Sequence, residues 1–308
     1  MKILFVDKVH PNLKTFLESK NFYCEEAYNY QREKLLKIVP SFHGIVIRSR
    51  IKLDDEFLSY CHQLKFIARA GSGMENIDEV TAKQKKIHLF NAPEGNRQAV
   101  AEHALAMLLS LFNKLNQADN EVRKGIWQRE KNRGIELHNK TIAIIGYGNN
   151  GSAFAKVLSG FGCRVLAYDK YKKIESPYAQ QVDMNQIFND ADILSLHIPL
   201  SNETTYLVDD DFINKFKNPI YLINTARGKC VDSSALLNGL LNNTILGACL
   251  DVHEFEKTSF DRDKKQIQKF DELLNHPNTI FSPHVAGWTK ESNEKIAEVL
   301  FQKIQTIF

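Results

Sequence analysis

Short apolar runs alternate with amphipathic segments over residues 1–95. The apolar runs predict β-strands, and the segments between them carry apolar residues at the spacing of a helix, as in 12–20 and 31–39. Strands that alternate with helices form parallel sheets with crossover helices, so this part of the chain predicts a parallel α/β domain. The predicted strands are residues 2–6, 44–47, 66–68 and 87–90.

A second and stronger series of strands follows one long helical pattern. Apolar residues recur at helical spacing from 97 to about 124, and Gly125 follows, which predicts a single long helix. The strands after it are separated by helical segments and match a doubly wound sheet, so we predict two doubly wound parallel-sheet α/β domains. These strands are 141–145, 163–168, 193–197, 220–224, 245–250 and 280–282, and a helical pattern returns at 290.

The composition excludes several classes of protein. A chain of 308 residues, 43% hydrophobic and 25% charged, is globular, not disordered, and long enough for two domains. A net charge of +3 is too small to predict nucleic acid as a partner. The longest apolar stretch, 99–112, contains Glu102 and His103, so we predict no membrane span.

The start of the chain and its cysteines favour a cytoplasmic protein. The opening MKILFVD is typical of a strand and not of a signal peptide. Five cysteines, with no CxxC pair among them, are typical of free thiols in a reducing compartment. We therefore expect neither a disulfide nor a bound metal ion.

A glycine-rich turn follows the first strand of the second series. Gly146, Gly148 and Gly151 form the pattern GxGxxG between a strand and a helical segment, with Asn149 and Asn150 inside it. The first glycine permits the tight turn, the second lets a pyrophosphate approach, and the third lets helix and strand pack closely. This predicts a dinucleotide site at the helix N-terminus. The alternative is a glycine-rich turn of an unrelated α/β domain; a Walker phosphate loop is excluded because no Gly-Lys-Ser/Thr follows.

An acidic residue, Asp169, ends the next predicted strand. A carboxylate there can accept hydrogen bonds from the ribose hydroxyls of adenosine and repels a 2′-phosphate. The sequence therefore favours NAD over NADP as cofactor, although Lys170, Lys172 and Lys173 follow and weaken the preference.

Ionisable residues stand at the ends of three later strands, at Arg227, Asp251 and His284. Ligands bind beyond the carboxyl ends of strands in an open α/β sheet, so these side chains are candidates for one site. Histidine can take a hydroxyl proton as hydride leaves for a nicotinamide, a carboxylate can stabilise the imidazolium, and arginine can bind a substrate carboxylate. Glu254 and Glu256 both follow Asp251, and spacing alone does not decide which supplies the acid.

Seven motifs occur in one order along nearly the whole chain: RAGSGMENID (69–78), NAPEGNRQAVAEHAL (91–105), IIGYGNNG (144–151), LHIPLSNET (196–204), INTARGKCVDSSAL (223–236), GACLDVHEFE (247–256) and SPHVAGWT (282–289). They resemble the motifs of the D-2-hydroxyacid dehydrogenase family. The resemblance implies an NAD-binding Rossmann domain, 96–285, and a flavodoxin-like substrate-binding domain, 1–95, completed by the C-terminal helix 286–308. It also implies a small-molecule substrate and a homodimer or dimer of dimers.

The resemblance further implies roles for individual residues. Arg227, Glu256 and His284 would be the catalytic residues, with Glu256 preferred to Glu254 by its offset from Asp251, and Asp251 would face the nicotinamide amide. The substrate carboxylate would be held by backbone amides of Gly71, Ser72 and Gly73, with Asn96 as a further active-site residue. The other implied cofactor-binding residues are His197, Pro199, Thr204, Thr225 and Ala226.

Arginine residues indicate which of the family's substrates this chain would bind. The chain most resembles the short branch that oxidises 3-phospho-D-glycerate, and a phosphate beside a carboxylate needs added positive charge. The resemblance implies that Arg48 and Arg69 line the substrate pocket and that Arg129 reaches in from the partner of a dimer. Arg50 and Arg133 are further candidates, and the alternative for all five is a solvated surface charge.

Other functions remain open on the sequence alone. The nearest is the same chemistry on an unphosphorylated acid, as in glyoxylate or hydroxypyruvate reduction, which needs no phosphate-binding arginines. A dinucleotide-sensing binding protein of the co-repressor kind can keep all three catalytic residues. A formate dehydrogenase is disfavoured because those sites typically carry glutamine where Glu256 stands.

The chain departs from the family pattern after the predicted catalytic acid. Family members usually have proline there, whereas Lys257 and a charged insert, 259–274, follow Glu256 and make the geometry up to His284 less predictable. The sequence stops at Phe308, so we expect no inhibition by serine through a regulatory domain.

Overall fold

The computed structural model describes residues 1–256 and 270–308. The chain divides into two compact units, the first formed by Met1–Arg97 with Trp288–Phe308 and the second by Gln98–Gly287. Most of the charged insert that follows Glu256 lies outside the described residues.

Strands and helices alternate along most of the chain. In chain order the strands are β1 (Lys2–Phe5), β2 (Tyr23–Glu26), β3 (Gly44–Ile47), β4 (Phe66–Arg69), β5 (His88–Phe90), β6 (Thr141–Ile145), β7 (Arg164–Tyr168), β8 (Gln180–Gln181), β9 (Ile193–Leu196), β10 (Ile220–Asn224), β11 (Ile245–Leu250) and β12 (Thr279–Phe281). The helices are α1 (Pro11–Glu18), α2 (Arg32–Ile38), α3 (Asp55–Ser59), α4 (Glu79–Gln84), α5 (Pro93–Phe112), α6 (Leu115–Arg123), α7 (Asn149–Leu158), α8 (Met184–Asp190), α9 (Asp210–Ile213), α10 (Ser233–Leu241) and α11 (Lys290–Gln305).

The first unit is built on a five-stranded parallel sheet in the order β2-β1-β3-β4-β5, the doubly wound order found in flavodoxin. Alternate residues of β1 enter opposite cores, Leu4 on one face and Ile3 and Phe5 on the other, because helices cover both faces. The edge strand β2 was not predicted. Its side chains are exposed or half-buried and form no apolar run.

The C-terminal helix α11 belongs to the first unit. A capping box fixes its start, where Thr289 Oγ1 accepts from Ser292 N and Ser292 Oγ accepts from Thr289 N. Ile296 and Leu300 of this helix lie in the same buried cluster as Phe5. The first sheet is thus covered by residues from both ends of the chain.

The second unit contains a seven-stranded parallel sheet in the order β12-β11-β10-β9-β6-β7-β8. From β8 inwards, the strands follow the Rossmann order, with β6 at the point where the order reverses. Alternate residues of β6, such as Ala143 and Ile144, enter separate cores on the two faces. The prediction of two doubly wound parallel-sheet α/β domains is confirmed.

The single long helix predicted from 97 to 124 is wrong. Two helices occupy this stretch, and the chain turns between them at Lys114, which has a left-handed φ of 50°. Phe112 O accepts a hydrogen bond from Ile135 N, 3.0 Å away, so a later segment takes the place of the next helical turn. Among the described residues, no helix has the length and apolarity needed to cross a membrane.

Candidate active site

The glycine turn lies at the junction of β6 and α7. Gly146 has a φ of +91°, and a Cβ there would lie 2.5 Å from the carbonyl oxygen of His197. A Cβ at Gly151 would lie 2.1 Å from the carbonyl oxygen of Gly146. A Cβ at Gly148 would meet no described atom within 4 Å, so the second glycine faces open space at the start of α7. This division is the one that a pyrophosphate-binding turn requires.

Two side-chain oxygen atoms of predicted cofactor-binding residues lie buried without a hydrogen-bond partner among the described residues. They are Oδ1 of Asn150, in the first turn of α7, and Oγ1 of Thr225, directly after β10. A buried polar atom without a partner costs free energy unless a bound group satisfies it. Both residues are predicted cofactor-binding positions, and their unsatisfied atoms fit a polar ligand such as a dinucleotide.

Asp169 lies half-buried after β7, beside the glycine turn. Its Oδ2 accepts from Tyr147 N at 2.8 Å, and its Oδ1 accepts from Tyr171 N and Lys172 N at 2.9 and 3.0 Å. Carboxylate oxygens have several acceptor positions, so the group can still receive a ribose hydroxyl.

Two of the three lysines after Asp169 are paired with glutamates. Lys170 Nζ lies 2.6 Å from Glu203, and Lys173 Nζ lies 2.7 Å from Glu175. Their positive charges are therefore partly neutralised, which reduces their value for binding a 2′-phosphate.

The loop after β9 carries three predicted cofactor residues. Nε2 of His197 lies 2.9 Å from Ser195 Oγ, and burial lowers the pKa of His197 to about 4, so its ring is neutral at pH 7. Thr204 Oγ1 donates to Pro199 O at 2.7 Å and accepts from Ser201 N at 2.8 Å. These bonds fix the shape of the loop. Pro199 itself is exposed.

The predicted acid and base meet in the second unit. Nδ1 of His284 is hydrogen-bonded to Oε1 of Glu256, with the side chains 51% and 37% exposed. His284 has a left-handed φ of 55°. The pair remains accessible to a substrate.

Arg227 is placed by a turn that sequence reasoning missed. Asn224, buried at the end of β10, accepts from Ala226 N and donates from Nδ2 to Arg227 O, both at 3.0 Å. A Cβ at Gly228 would lie 2.0 Å from His253 O, so this glycine lets the turn approach the chain leading to Glu256.

The surroundings of His284 set its charge. Its pKa is raised chiefly by the hydrogen bond to Glu256, against the lowering effect of burial, and the charges of Glu256 and Asp251 add to the increase. The positive charge of Arg227 acts in the opposite direction. The pKa of His284 therefore depends on both of the other predicted catalytic residues, Glu256 and Arg227.

The choice between the two glutamates follows from their contacts. Oε1 of Glu254 accepts from Ser233 N at 3.1 Å, at the start of α10. Glu254 also accepts from the hydroxyl of Tyr206, which raises the pKa of that tyrosine. Glu254 thus stabilises the start of α10, and Glu256 is the glutamate that is hydrogen-bonded to His284.

Asp251 is 2% exposed at the end of β11. Its Oδ1 accepts from Ser282 Oγ at 2.6 Å and from Val285 N at 2.9 Å, and its Oδ2 accepts from Ala286 N at 2.9 Å. The carboxylate thus holds the segment around His284, a role that the sequence analysis did not predict.

In the first unit, Arg48 follows β3, and Arg69 is the last residue of the neighbouring strand β4. The guanidinium of Arg48 lies 3.8 Å from the ring centroid of Trp288, a cation–π contact that holds a flat cation in place. The guanidinium of Arg69 lies over Gly71, where a Cβ would stand 1.5 Å from Nη1. Gly71 therefore leaves room for this arginine.

The predicted carboxylate-binding loop is tied to its neighbours within the same unit. Ser72 Oγ donates to Asn96 Oδ1 at 2.7 Å, and Ser72 O accepts from Asn91 Nδ2 at 2.6 Å. The loop of Gly71, Ser72 and Gly73 is thereby held beside Asn96.

Arg50 is committed to the protein itself, contrary to its candidacy for a substrate phosphate. Its guanidinium donates to the carbonyl oxygens of Val6, Ala27 and Tyr30 at 2.8–3.2 Å and lies 3.3 Å from Asp7. Arg129 is exposed on the second unit. In the described part of the chain, no three histidines, cysteines or acidic residues come together as metal ligands.

Most of the second unit matches the NAD-binding domain of one known protein family. The family described as D-isomer specific 2-hydroxyacid dehydrogenase, NAD binding domain, matches residues 105–286. The chain belongs to this dehydrogenase family. The prediction of NAD as the cofactor is confirmed with it, because the matched domain is the family's NAD-binding domain.

Relatives in the dehydrogenase family differ in substrate. The chain is 33% identical over 307 residues to the D-3-phosphoglycerate dehydrogenase of Archaeoglobus fulgidus, covering 99% of this chain and 56% of that protein. It is 32% identical over 274 residues to the hydroxypyruvate reductase of Thermotoga maritima, covering 89% of this chain and 87% of that protein. The chain thus spans little more than half the length of the phosphoglycerate dehydrogenase.

Solved structures of dehydrogenases share the fold. D-2-hydroxyisocaproate dehydrogenase matches with a TM-score of 0.85 at 27% identity, covering 100% of this chain and 96% of that one. D-lactate dehydrogenase from Aquifex aeolicus, in complex with NAD and lactic acid, matches with a TM-score of 0.83 at 28% identity, covering 100% and 95%.

Proposed function

We propose that the chain is an NAD-dependent dehydrogenase that oxidises 3-phospho-D-glycerate to 3-phosphohydroxypyruvate, the first step of serine biosynthesis. The observation that carries the proposal is the hydrogen bond between His284 and Glu256 in the electrostatic reach of Arg227. A base, its acid partner and a carboxylate-binding cation are the groups that oxidation of a 2-hydroxy acid needs.

Proton transfer falls to the ring nitrogen of His284 that faces away from Glu256. Because Nδ1 is bonded to the glutamate, Nε2 takes the hydroxyl proton, and Glu256 stabilises the resulting imidazolium. Arg227 binds the substrate carboxylate and polarises the reacting oxygen. When bound, NAD would supply the acceptor for the hydride that carries the C–H electron pair, and His284 would hold the O–H proton.

The cofactor would be held by the glycine turn, by the ends of strands and by loops. Gly146, Gly148, Gly151 and the first turn of α7, with Asn149 and Asn150, would hold the pyrophosphate, and Asp169 the adenosine ribose. The residues proposed to complete the site are His197, Pro199, Thr204, Thr225, Ala226 and Asp251.

The first unit would bind the charged ends of the substrate. We assign the carboxylate to the backbone amides of the loop from Gly71 to Gly73 and to Asn96, and the phosphate to Arg48 and Arg69. The support is local: Arg48 is held on Trp288 and Arg69 over Gly71, so both guanidinium groups are pre-oriented. Arg50 is left out because its donors are taken by backbone carbonyls.

Steady-state kinetics test this assignment. Oxidation of reduced NAD is followed by absorbance with phosphohydroxypyruvate and with hydroxypyruvate, for the parent chain and for Arg48→Ala, Arg69→Ala and Lys20→Ala, an exposed control. We expect the phosphorylated substrate to have the higher kcat/KM, and the arginine variants to lose that preference by roughly tenfold or more. An unchanged preference in both variants would disprove the phosphate assignment.

One other function has an observation in its favour, and a second comes from the sequence alone. The hydroxypyruvate reductase of Thermotoga maritima is covered over 87% of its length, which supports reduction of an unphosphorylated acid, and equal turnover of both substrates would select it. A dinucleotide-sensing binding protein would keep the NAD site without turnover. A kcat on the order of one per second or more would exclude it.

We also propose a homodimer in the cytoplasm. Val122, Ile126 and Trp127 expose large apolar side chains after and within α6, with Trp127 77% exposed. An exposed apolar cluster of this kind is typical of an interface. Arg129 follows it directly, so a second copy bound there would carry Arg129 into contact with its partner.

A further inference from the structure

His103 and Ser282 form a partly buried contact that the proposed reaction does not use directly. His103 lies in α5, and its Nε2 is 2.8 Å from Oγ of Ser282, which follows β12. Ser282 Oγ in turn lies 2.6 Å from Oδ1 of Asp251. The Sδ atom of Met107, one helical turn after His103, is 3.7 Å from the same hydroxyl. Three elements of the second unit therefore converge on Ser282.

The direction of these bonds follows from the number of protons available. Asp251 is an acceptor only, so Ser282 donates its single hydroxyl proton to the carboxylate. The bond between Ser282 and His103 must then run from Nε2–H of the histidine to the serine oxygen. Nε2 of His103 is also 3.7 Å from Oδ1 of Asp251, which places a second donor beside a buried carboxylate.

The carboxylate at the end of this chain of bonds controls the backbone around His284. Asp251 accepts from the amides of Val285 and Ala286, while His284 N donates to the carbonyl oxygen of Asp251 at 2.8 Å. His284 has the left-handed backbone that non-glycine residues rarely adopt. Such a conformation persists only where its surroundings fix it, and Asp251 provides that constraint.

We propose that His103 and Ser282 are positioning residues, which act through Asp251 to keep the backbone of His284 in the conformation that directs its ring to Glu256. The inference rests on the proposed function for its catalytic consequence, but the positioning itself is a property of the protein without substrate. The contact with Glu256 is what raises the pKa of His284, so that pKa reports whether positioning is intact.

The test combines four variants with two controls. Ser282→Ala and His103→Leu remove the bonds, Ser282→Thr keeps the hydroxyl, and His103→Gln keeps an N–H donor. The controls are Ser159→Ala, whose hydroxyl bonds only to a carbonyl of its own helix among the described residues, and His62→Leu, which is exposed. For each protein, the pKa of His284 is measured by NMR of labelled histidine, its signal being assigned by its loss in His284→Ala. Thermal stability and kinetics are measured in parallel.

We expect Ser282→Ala and His103→Leu to lower the pKa of His284 and to lower kcat by roughly 10-fold to 100-fold. Ser282→Thr, His103→Gln and both controls should stay close to the parent. An unchanged pKa of His284 in both Ser282→Ala and His103→Leu overturns the inference, even where melting temperature falls. If Ser282→Ala or His103→Leu does not fold, the remaining variant, or Ser282→Cys, is measured in its place and judged by the same criterion.

The two proposals fail separately. Absence of turnover on every 2-hydroxy acid in the parent chain, together with a lowered pKa of His284 in the variants, removes the proposed function and leaves the positioning intact. Turnover that His284→Ala abolishes, but that Ser282→Ala and His103→Leu leave unchanged, removes the positioning role alone.

Discussion

Oε1 of Glu256 accepts a hydrogen bond from Nδ1 of His284, and the same bond raises the pKa of the histidine. Oxidation needs the neutral ring as proton acceptor, so its rate should fall as pH falls through that raised pKa. Reduction needs the imidazolium and should fall as pH rises through it.

Glu256→Gln should move both limbs to lower pH. Without the glutamate, burial and Arg227 lower the pKa of His284 against the charge of Asp251, so this pKa falls and the neutral ring persists at more acidic pH. We also expect kcat for reduction at neutral pH to fall by roughly 10²-fold. Profiles of kcat/KM against pH in both directions measure the shift. Glu254→Gln is the matched control, and an equal shift in both variants would contradict the assignment.

The glycine turn allows binding and stability to be separated. Gly148 is the N-cap of α7 with φ −82°, and a Cβ there would meet no described atom within 4 Å, so Gly148→Ala should change stability by less than about 1 kcal/mol. The same methyl group would occupy space proposed for the pyrophosphate, and the Kd for NAD should rise at least tenfold, roughly 1.4 kcal/mol.

Gly151→Ala should behave in the opposite way. Its Cβ would lie 2.1 Å from the carbonyl oxygen of Gly146, so the turn must move, and we expect a loss of about 1–3 kcal/mol in the free energy of unfolding. Urea denaturation and NAD titration of both variants give the comparison. Tight NAD binding by Gly148→Ala would show that the pyrophosphate lies elsewhere.

The fold was largely predictable because buried parallel strands leave continuous apolar runs. β6 and β9 are buried along almost their whole length, and the sequence shows them plainly. β2 and the two-residue β8 were not predicted, because edge strands with exposed side chains have no such run. The helix break at Lys114 depends on a hydrogen bond from the distant Ile135 N to the carbonyl oxygen of Phe112. No local sequence pattern shows this contact.

Residues of the candidate site could be predicted where the side chain itself suits the chemistry. Residues that only position those side chains could not be predicted. Arg227, Glu256 and His284 follow strand ends and fit known motifs, so the sequence singled them out. Asn224, which shapes the turn before Arg227, and the serine that binds Asp251 are ordinary polar residues. Arg50 shows the reverse error. The sequence made it a candidate for binding the substrate phosphate, but its guanidinium donates to backbone carbonyl oxygens.

Asp169 should control the choice of dinucleotide. We expect Asp169→Asn to weaken NAD by roughly 10-fold, because it loses charge-assisted bonds to the ribose, and to bind NADP more tightly than the parent chain does. Asparagine keeps one oxygen acceptor, so the bond from Tyr147 N that fixes the glycine turn can persist, whereas the bonds from Tyr171 N and Lys172 N are lost. Fluorescence titration with both cofactors measures this. Glu33→Gln, which removes an exposed carboxylate from α2 of the first unit, serves as control, and an unchanged Kd for NAD in Asp169→Asn would refute the assignment.

Arg129 offers a test of whether active sites are shared between subunits. If it serves the site of its dimer partner, Arg129→Ala and His284→Ala are each inactive alone, yet a mixed dimer has one site with both residues intact. Mixing the two after partial denaturation and refolding should then restore up to about a quarter of the parent activity, on the assumption of random pairing into two-site dimers. Arg133→Ala mixed with His284→Ala is the control for exchange, since Arg133 pairs with Glu130 on its own surface. If Arg129 acts within its own chain, every mixed site lacks one residue and no activity returns, and this outcome would remove Arg129 from the shared site.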